Sequence, residues 1–144
     1  AYAPGNGDPN NFNLNDCSTQ RNLNSLGRKQ AKNIGEFFRE NKIKIYKVLS
    51  SEWCRCKETA DIAFKDYSTN SFLNSFYSSK YAKNKDKQVE ALNNYVKKIN
   101  SNGNLIFVTH YVLISEVLNY GASSGEIVIS DKNFNIVGTV EIDY

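Results

Sequence analysis

Two short apolar runs end in the same way, and this constrains the fold more than anything else in the chain. Val48-Leu49-Ser50-Ser51 and Leu105-Ile106-Phe107-Val108-Thr109-His110 each pass from continuous apolar residues to small hydroxyl residues, and a helical pattern follows each. Such runs suit strands buried on both faces, as parallel sheets require. Parallel strands need long crossover connections, usually helices, so the expected class is α/β, with a parallel-centred sheet.

The rest of the chain fits that frame. Residues 1–22 are rich in Asn, Gly, Asp and Pro and read as a long loop, of the kind that tends to be functional. A helix follows, capped by Asn24 or Ser25, with Ala31, Ile34, Phe37 and Phe38 on one face and Asn41 at its end. Ile43 to Ser50 is the first strand, and a second helix runs through Thr59, Ala60 and Ala63. Residues 66–83 are polar and read as loop with one short turn of helix. Val89, Leu92, Val96 and Ile99 make the apolar stripe of a third helix, stopped by Asn102-Gly103. Leu105 to Val108 is expected to be a fully buried strand, and Val112 to Leu118 a fourth helix. Ile127–Ile129 and Ile136–Ile142 are expected as an antiparallel edge, joined by a turn at Asp131-Lys132-Asn133. No repeat or domain boundary is visible, so residues 1–144 read as one domain.

Bulk properties exclude several classes of function. A net charge of +3 without basic runs gives no track for nucleic acid. The longest apolar run is strand-sized, so no membrane span is expected. Three cysteines, Cys17, Cys54 and Cys56, leave at least one thiol unpaired in a monomer. Three reduced thiols and a Cys17–Cys54 bridge both remain open, and the bridge would require an oxidising compartment. One histidine and three cysteines show no zinc spacing, so no metal site is expected.

Ligands of open α/β sheets bind beyond the carboxyl ends of the strands. The first end delivers Ser50-Ser51-Glu52-Trp53-Cys54-Arg55, which places Arg55 in the opening turn of a helix, where amide groups and the dipole favour an anion. Its guanidinium fork matches phosphate oxygens. The second end delivers His110, the only histidine, which can exchange a proton or hydrogen-bond an oxyanion near neutral pH.

Taken in order, these segments resemble the histidine phosphatase superfamily, which includes phosphoglycerate mutases and short bacterial phosphohistidine phosphatases. Leu23-Asn24-Ser25-Leu26-Gly27-Arg28-Lys29-Gln30-Ala31 is similar to its helix start, L-[ST]-x-x-G-x-x-Q-A. Ser50-Ser51 with Arg55 and Thr59-Ala60 is similar to S-S-x-x-x-R-x-x-x-T-A, and Val108-Thr109-His110 to V-x-H. The likeness is closest to a short bacterial subgroup. It is carried by Ala3-Pro4-Gly5-Asn6-Gly7-Asp8-Pro9, Cys17-Ser18-Thr19-Gln20-Arg21-Asn22-Leu23, Trp53-Cys54-Arg55, Leu73-Asn74-Ser75-Phe76 and Ser124-Gly125-Glu126.

The resemblance implies a three-layer, phosphoglycerate mutase-like sandwich with helices on both faces of the sheet. It implies a phosphatase that forms a phosphohistidine intermediate without metal or other cofactor. Its substrate would be a phosphorylated small molecule or a phosphoprotein. Arg55 becomes a phosphate clamp and His110 the second active-site histidine. Thr19, Gln20, Arg21 and Asn74 become candidates for substrate contact. Subgroup members are often exported, which favours the Cys17–Cys54 bridge and a periplasmic or secreted location.

Two departures matter. The family's nucleophilic histidine and a second arginine belong to an R-H-G or R-H-A motif ending the first strand, which would abut Ala1 or Tyr2. The expectation is therefore that an Arg-His strand precedes Ala1. A non-catalytic phosphoryl-binding module and a mutase-like phosphotransferase are the alternatives; the short 66–83 segment, with little to enclose a sugar acid, disfavours the mutase. Second, Asn74-Ser75 stands where many relatives carry an acidic general acid. Glu126 is the candidate substitute and Asp8 a weaker one; without a strong acid, good leaving groups are favoured.

Overall fold

The computed structural model describes residues 1–144. Strand β1 (Ile45–Ser50) lies at the centre of a parallel sheet, between β2 (Ser68–Thr69) and β3 (Asn104–Val108). The register pairs Leu49 with Phe107 and Ser50 with Val108, and the Ser51 amide donates to the Val108 carbonyl at 2.9 Å. Ser51 and His110 are thereby brought to the same end of the sheet. Strand β2 escapes a sequence reading because two residues, Ser68 and Thr69, cannot show a period.

Helix α1 (Ser25–Glu40) starts where expected: Asn24 accepts from the Gly27 amide at 2.9 Å, and Asn41 closes the far end. It crosses α2 (Cys54–Phe64) closely enough at Gly35 that an added Cβ would collide with the Ala63 carbonyl. Ile34, Phe38 and Ala63 pack there against Ile106, Ile127 and Ile142. Helices α3 (Lys85–Lys98) and α4 (Tyr111–Leu118) serve the opposite face, where Leu92, Val96 and Leu113 join Leu49, Phe72, Leu73 and Phe76. Each such apolar side chain contributes about 2 kcal/mol by leaving water. Three layers result, as the resemblance implies. No helix is long and apolar enough to cross a membrane.

The antiparallel pair β4 (Ile127–Ser130) and β5 (Ile136–Val140) forms, with Asp131 holding the turn through the Asn133 and Asn135 amides. It differs from the expected edge in one respect: it makes no ladder with the parallel sheet. Between β3 and β4 runs a cleft of about 1240 Å³, lined by the residues of both strands and by Ile34, Phe38 and Phe64. This also corrects the expected full burial of Leu105–Val108, whose residues are only half-buried because one edge of β3 opens on the cleft.

One side chain ties the remote ends of the chain to α1. Gln30 accepts from the Tyr2 amide at 2.8 Å and donates to the carbonyls of Ser124 and Ile142 at 2.8 and 2.7 Å. The glutamine of the helix-start motif is therefore a structural staple.

Candidate functional site

Residues 1–22 carry almost no aliphatic core, so polar and covalent ties hold them over the strand ends. Cys17 and Cys54 are joined by a disulfide closing 37 residues of sequence separation, which leaves Cys56 as the free, buried thiol. By loop-closure entropy a link of this span contributes about 3–4 kcal/mol. Phe12 stacks on Trp53 with ring centroids 5.0 Å apart, and Tyr81 closes against both rings. Gln20, also buried, accepts from the Cys54 amide at 2.9 Å and donates to the Asn13 and Leu14 carbonyls.

This loop delivers Asp8 to Arg55. The carboxylate accepts from Arg55 Nη1 at 2.9 Å, from the Arg21 amide at 2.9 Å and from Trp53 Nε1 at 3.0 Å. The Arg55 and Asp8 side chains are only 11% and 16% exposed, so the pair is largely shielded from water. Burial alone would raise the Asp8 pKa; the Arg21, Trp53 and Arg55 donors outweigh it and hold Asp8 below the ordinary carboxylate range. Arg21 fixes the loop from within, donating to the carbonyls of Gly7 (2.8 Å) and Ala3. Burial and the neighbouring Arg55 charge lower its pKa.

Arg55 also reaches the other strand end. Its Nη2 lies 3.3 Å from His110 Nδ1, while His110 Nε2 lies 2.8 Å from Ser51 Oγ. The imidazole is buried beneath Trp53, with ring centroids 5.3 Å apart. Burial, followed by the Arg55 charge, pushes the His110 pKa down to about 3. His110 is thus neutral at physiological pH, and its Nδ1 faces a fixed positive charge. Cys56 Sγ lies 3.7 Å from Nε2 and from the Thr109 carbonyl, and burial pushes the thiol's pKa up, so it stays protonated.

The other residues singled out in the sequence fall into place differently. Thr19 Oγ1 accepts from the Asn13 amide at 2.8 Å and donates to the Asp16 carbonyl at 2.7 Å. Thr19 therefore spends its hydroxyl inside the loop, while Gln20 ties the loop to the start of α2. Asn74 spends its amide on Glu52 and Ser51. Glu126 accepts from the Tyr120 hydroxyl at 2.6 Å and the Ser123 amide at 2.8 Å, and these donors hold it below its usual range. A carboxylate kept ionised this way is a poor proton donor, and no hydrogen bond links it to Arg55 or His110. Asp8 and Ser51 are the site residues that the sequence signals least. Ser51 stands within the Ser50-Ser51 motif, but Asp8 meets Arg55 across 47 residues and has only its position in a Gly-rich loop as a signal.

The backbone nitrogen of Ala1 donates to Thr59 Oγ1 at 3.3 Å, one helical turn beyond Arg55. Ala1 thus lies beside the site. No group of three or more His, Cys, Asp or Glu side chains is placed to hold a metal ion.

Comparisons with known proteins agree with this geometry. Residues 13–74 match the family model described as histidine phosphatase superfamily (branch 1). No curated protein matches the chain in sequence. Among solved structures, the protein TTHB049 from Thermus thermophilus superposes with a TM-score of 0.61 at 14% identity, over 85% of each chain. The product of the open reading frame Rv3214 from Mycobacterium tuberculosis gives a TM-score of 0.49 at 16% identity, over 69% of this chain and 68% of that one. The likeness to the Thermus protein shows the fold. That fold and the match over residues 13–74 make the chain similar to the histidine phosphatase superfamily.

Proposed function

We propose that residues 1–144 form all but the first strand of a single phosphatase domain. In this reading it hydrolyses a phosphomonoester or a phosphohistidine through a phosphohistidine intermediate, without a metal ion. The match of residues 13–74 to the histidine phosphatase model supports phosphoryl-transfer chemistry in general. The observation that carries the finer reading is the convergence of Arg55 and His110, 3.3 Å apart, at the ends of adjacent parallel strands.

The nucleophile is a histidine on a strand that precedes Ala1 and occupies the cleft between β3 and β4. Three features support this placement. The cleft is apolar along its walls, both flanking strands present unpaired edges to it, and Ala1 lies beside Arg55. Unpaired strand edges are costly, and one further strand of about five residues, roughly 17 Å long, would satisfy both. In the first step an imidazole nitrogen attacks phosphorus in line; the N–P bond forms while the ester O–P bond breaks, and the leaving oxygen departs as an anion that takes its proton from water. Water then attacks phosphorus, the N–P bond breaks, and inorganic phosphate leaves with the imidazole restored. Arg55 neutralises the equatorial oxygens throughout, and His110 hydrogen-bonds the same group as its charge develops. With Glu126 and Asp8 both held ionised, the enzyme depends on substrates with good leaving groups.

One observation favours a second reading, a phosphoryl-binding module without turnover: His110 is the only histidine among the 144 residues. Hydrolysis of p-nitrophenyl phosphate, by protein that includes the residues encoded upstream of Ala1, separates the two. Turnover blocked by vanadate and unaffected by EDTA is the expected result. EDTA-sensitive turnover would sink the histidine mechanism. Inactivity on this substrate and on a phosphohistidine peptide, with phosphate still bound, would establish the module instead.

A further inference from the structure

A chain of four residues leads from the surface to the buried imidazole, and its polarity has one solution. The Glu52 amide donates to Asn74 Oδ1 at 2.9 Å, and a backbone N–H can only donate. The oxygen of the Asn74 amide is therefore identified, and its nitrogen is left to donate to Glu52 Oε1 at 2.8 Å, a carboxylate that can only accept. Both contacts fix the same orientation. Ser51 Oγ lies 3.2 Å from that Asn74 oxygen and must supply the hydrogen between them. It also accepts from the Trp53 amide at 3.2 Å. With its one hydrogen committed to Asn74, Ser51 meets His110 Nε2 as an acceptor, at 2.8 Å. The proton of that bond belongs to the imidazole.

The opposite side of the ring gives the same answer independently. Arg55 carries donors only, so Nδ1, 3.3 Å from Nη2, must present its lone pair. The protonated thiol of Cys56 points its hydrogen to the Thr109 carbonyl and leaves sulfur as a weak acceptor near Nε2.

We infer that Asn74 is a positioning residue: held by Glu52 and acting through Ser51, it places the proton of His110 on Nε2 and a lone pair on Nδ1, toward Arg55. The Asn of the Leu73-Asn74-Ser75-Phe76 segment thus serves the histidine rather than the substrate. What this does for catalysis rests on the phosphoryl-transfer reading. A neutral imidazole with its lone pair at the phosphoryl pocket becomes a donor there only by gaining a second proton, which an arriving phosphate monoanion can provide. The tautomer itself is a property of the free protein and is measured without substrate, so a failure of this inference is distinct from a failure of that reading.

In a two-bond ¹⁵N–¹H correlation spectrum of the ¹⁵N-labelled full-length protein, the imidazole signals of His110 are identified by their absence from His110→Gln. The expected pattern is a protonated Nε2 and an unprotonated Nδ1. Asn74→Ala frees the Ser51 hydroxyl to donate to Nε2 and should shift the tautomer ratio about fivefold toward Nδ1–H, the effect of one ordinary hydrogen bond. Ser51→Ala, which removes only a hydroxyl, should shift the ratio in the same direction as Asn74→Ala and serves if that variant does not fold. An Nδ1–H pattern in the wild type overturns the inference, as does an unchanged pattern in both Asn74→Ala and Ser51→Ala.

Discussion

Arg55→Ala should lower the affinity for inorganic phosphate or vanadate by about a hundredfold or more. A guanidinium that meets two phosphoryl oxygens makes two charge-assisted hydrogen bonds, each worth about 1.5–3 kcal/mol, and about 1.4 kcal/mol is a factor of ten. Arg21 cannot replace it, because that guanidinium is spent on the Gly7 and Ala3 carbonyls. The same substitution also strands Asp8, which keeps the Arg21 amide and the Trp53 indole but loses its counter-charge. A stability loss of about 2 kcal/mol should accompany the lost binding. Arg55→Lys separates the two effects: a point charge restores the partner of Asp8 but not the planar fork, so stability recovers more than affinity does. Titration calorimetry with phosphate and urea unfolding of the three proteins check this. Equal phosphate affinity in wild type and Arg55→Ala would remove Arg55 from the site.

The second large effect is on stability against pH. His110 titrates at about 3 in the folded chain and near 6.5 in the unfolded one, so below pH 6.5 the unfolded state binds a proton that the folded state refuses. The folded state is therefore fully favoured above pH 6.5 and loses about 1.4 kcal/mol per pH unit from there down to about pH 3. Asp8 works in the same direction at lower pH. Its folded pKa is depressed, so the stability it contributes is present above its unfolded value of 3.8 and is lost as pH falls further. His110→Gln keeps an N–H for Ser51 and cannot titrate. Between about pH 7 and pH 4 the wild type should lose about 3 kcal/mol more than this variant in urea unfolding. Parallel losses in the two proteins would show that the imidazole is not held neutral by its burial beside Arg55.

How much of this is legible in the sequence depends on the range of the interactions involved. Local signals read well: Asn24 does cap α1, the Ile34 and Phe38 stripe does face the core, and the two runs ending at Ser51 and His110 do form adjacent parallel strands. Their alignment, which puts Arg55 against His110, follows once the pair is parallel and in register. Interactions across long separations do not read. The Asp8–Arg55 pair joins a loop without periodicity to a helix terminus, and only the folded backbone brings them together. Glu126 looks eligible as an acid in the sequence because its neighbours Tyr120 and Ser123, which hold it ionised, cannot be placed there. The separation of the β4–β5 hairpin from the parallel sheet is likewise invisible, since each strand pattern is satisfied by its own ladder or by its own apolar face.

Phosphate binding adds a further expectation to this picture. The site holds one neutral imidazole and one arginine whose charge is already matched by Asp8, so a bound dianion brings uncompensated negative charge to His110. That charge raises the imidazole pKa, and binding near neutral pH should draw in a proton. Calorimetry in buffers of different ionisation enthalpy reads this uptake directly.

The central claim is that Arg55 and His110 hold a phosphoryl group while a histidine preceding Ala1 accepts it. Its most direct test is to trap the phosphoenzyme by quenching the full-length protein in alkali during turnover and to map the modified residue by peptide mass spectrometry. The expected result is a phosphohistidine in the peptide immediately N-terminal to Ala1, and an unmodified His110. A phosphoryl group on His110, Ser51 or Cys56, or steady turnover with no phosphohistidine at all, would contradict it.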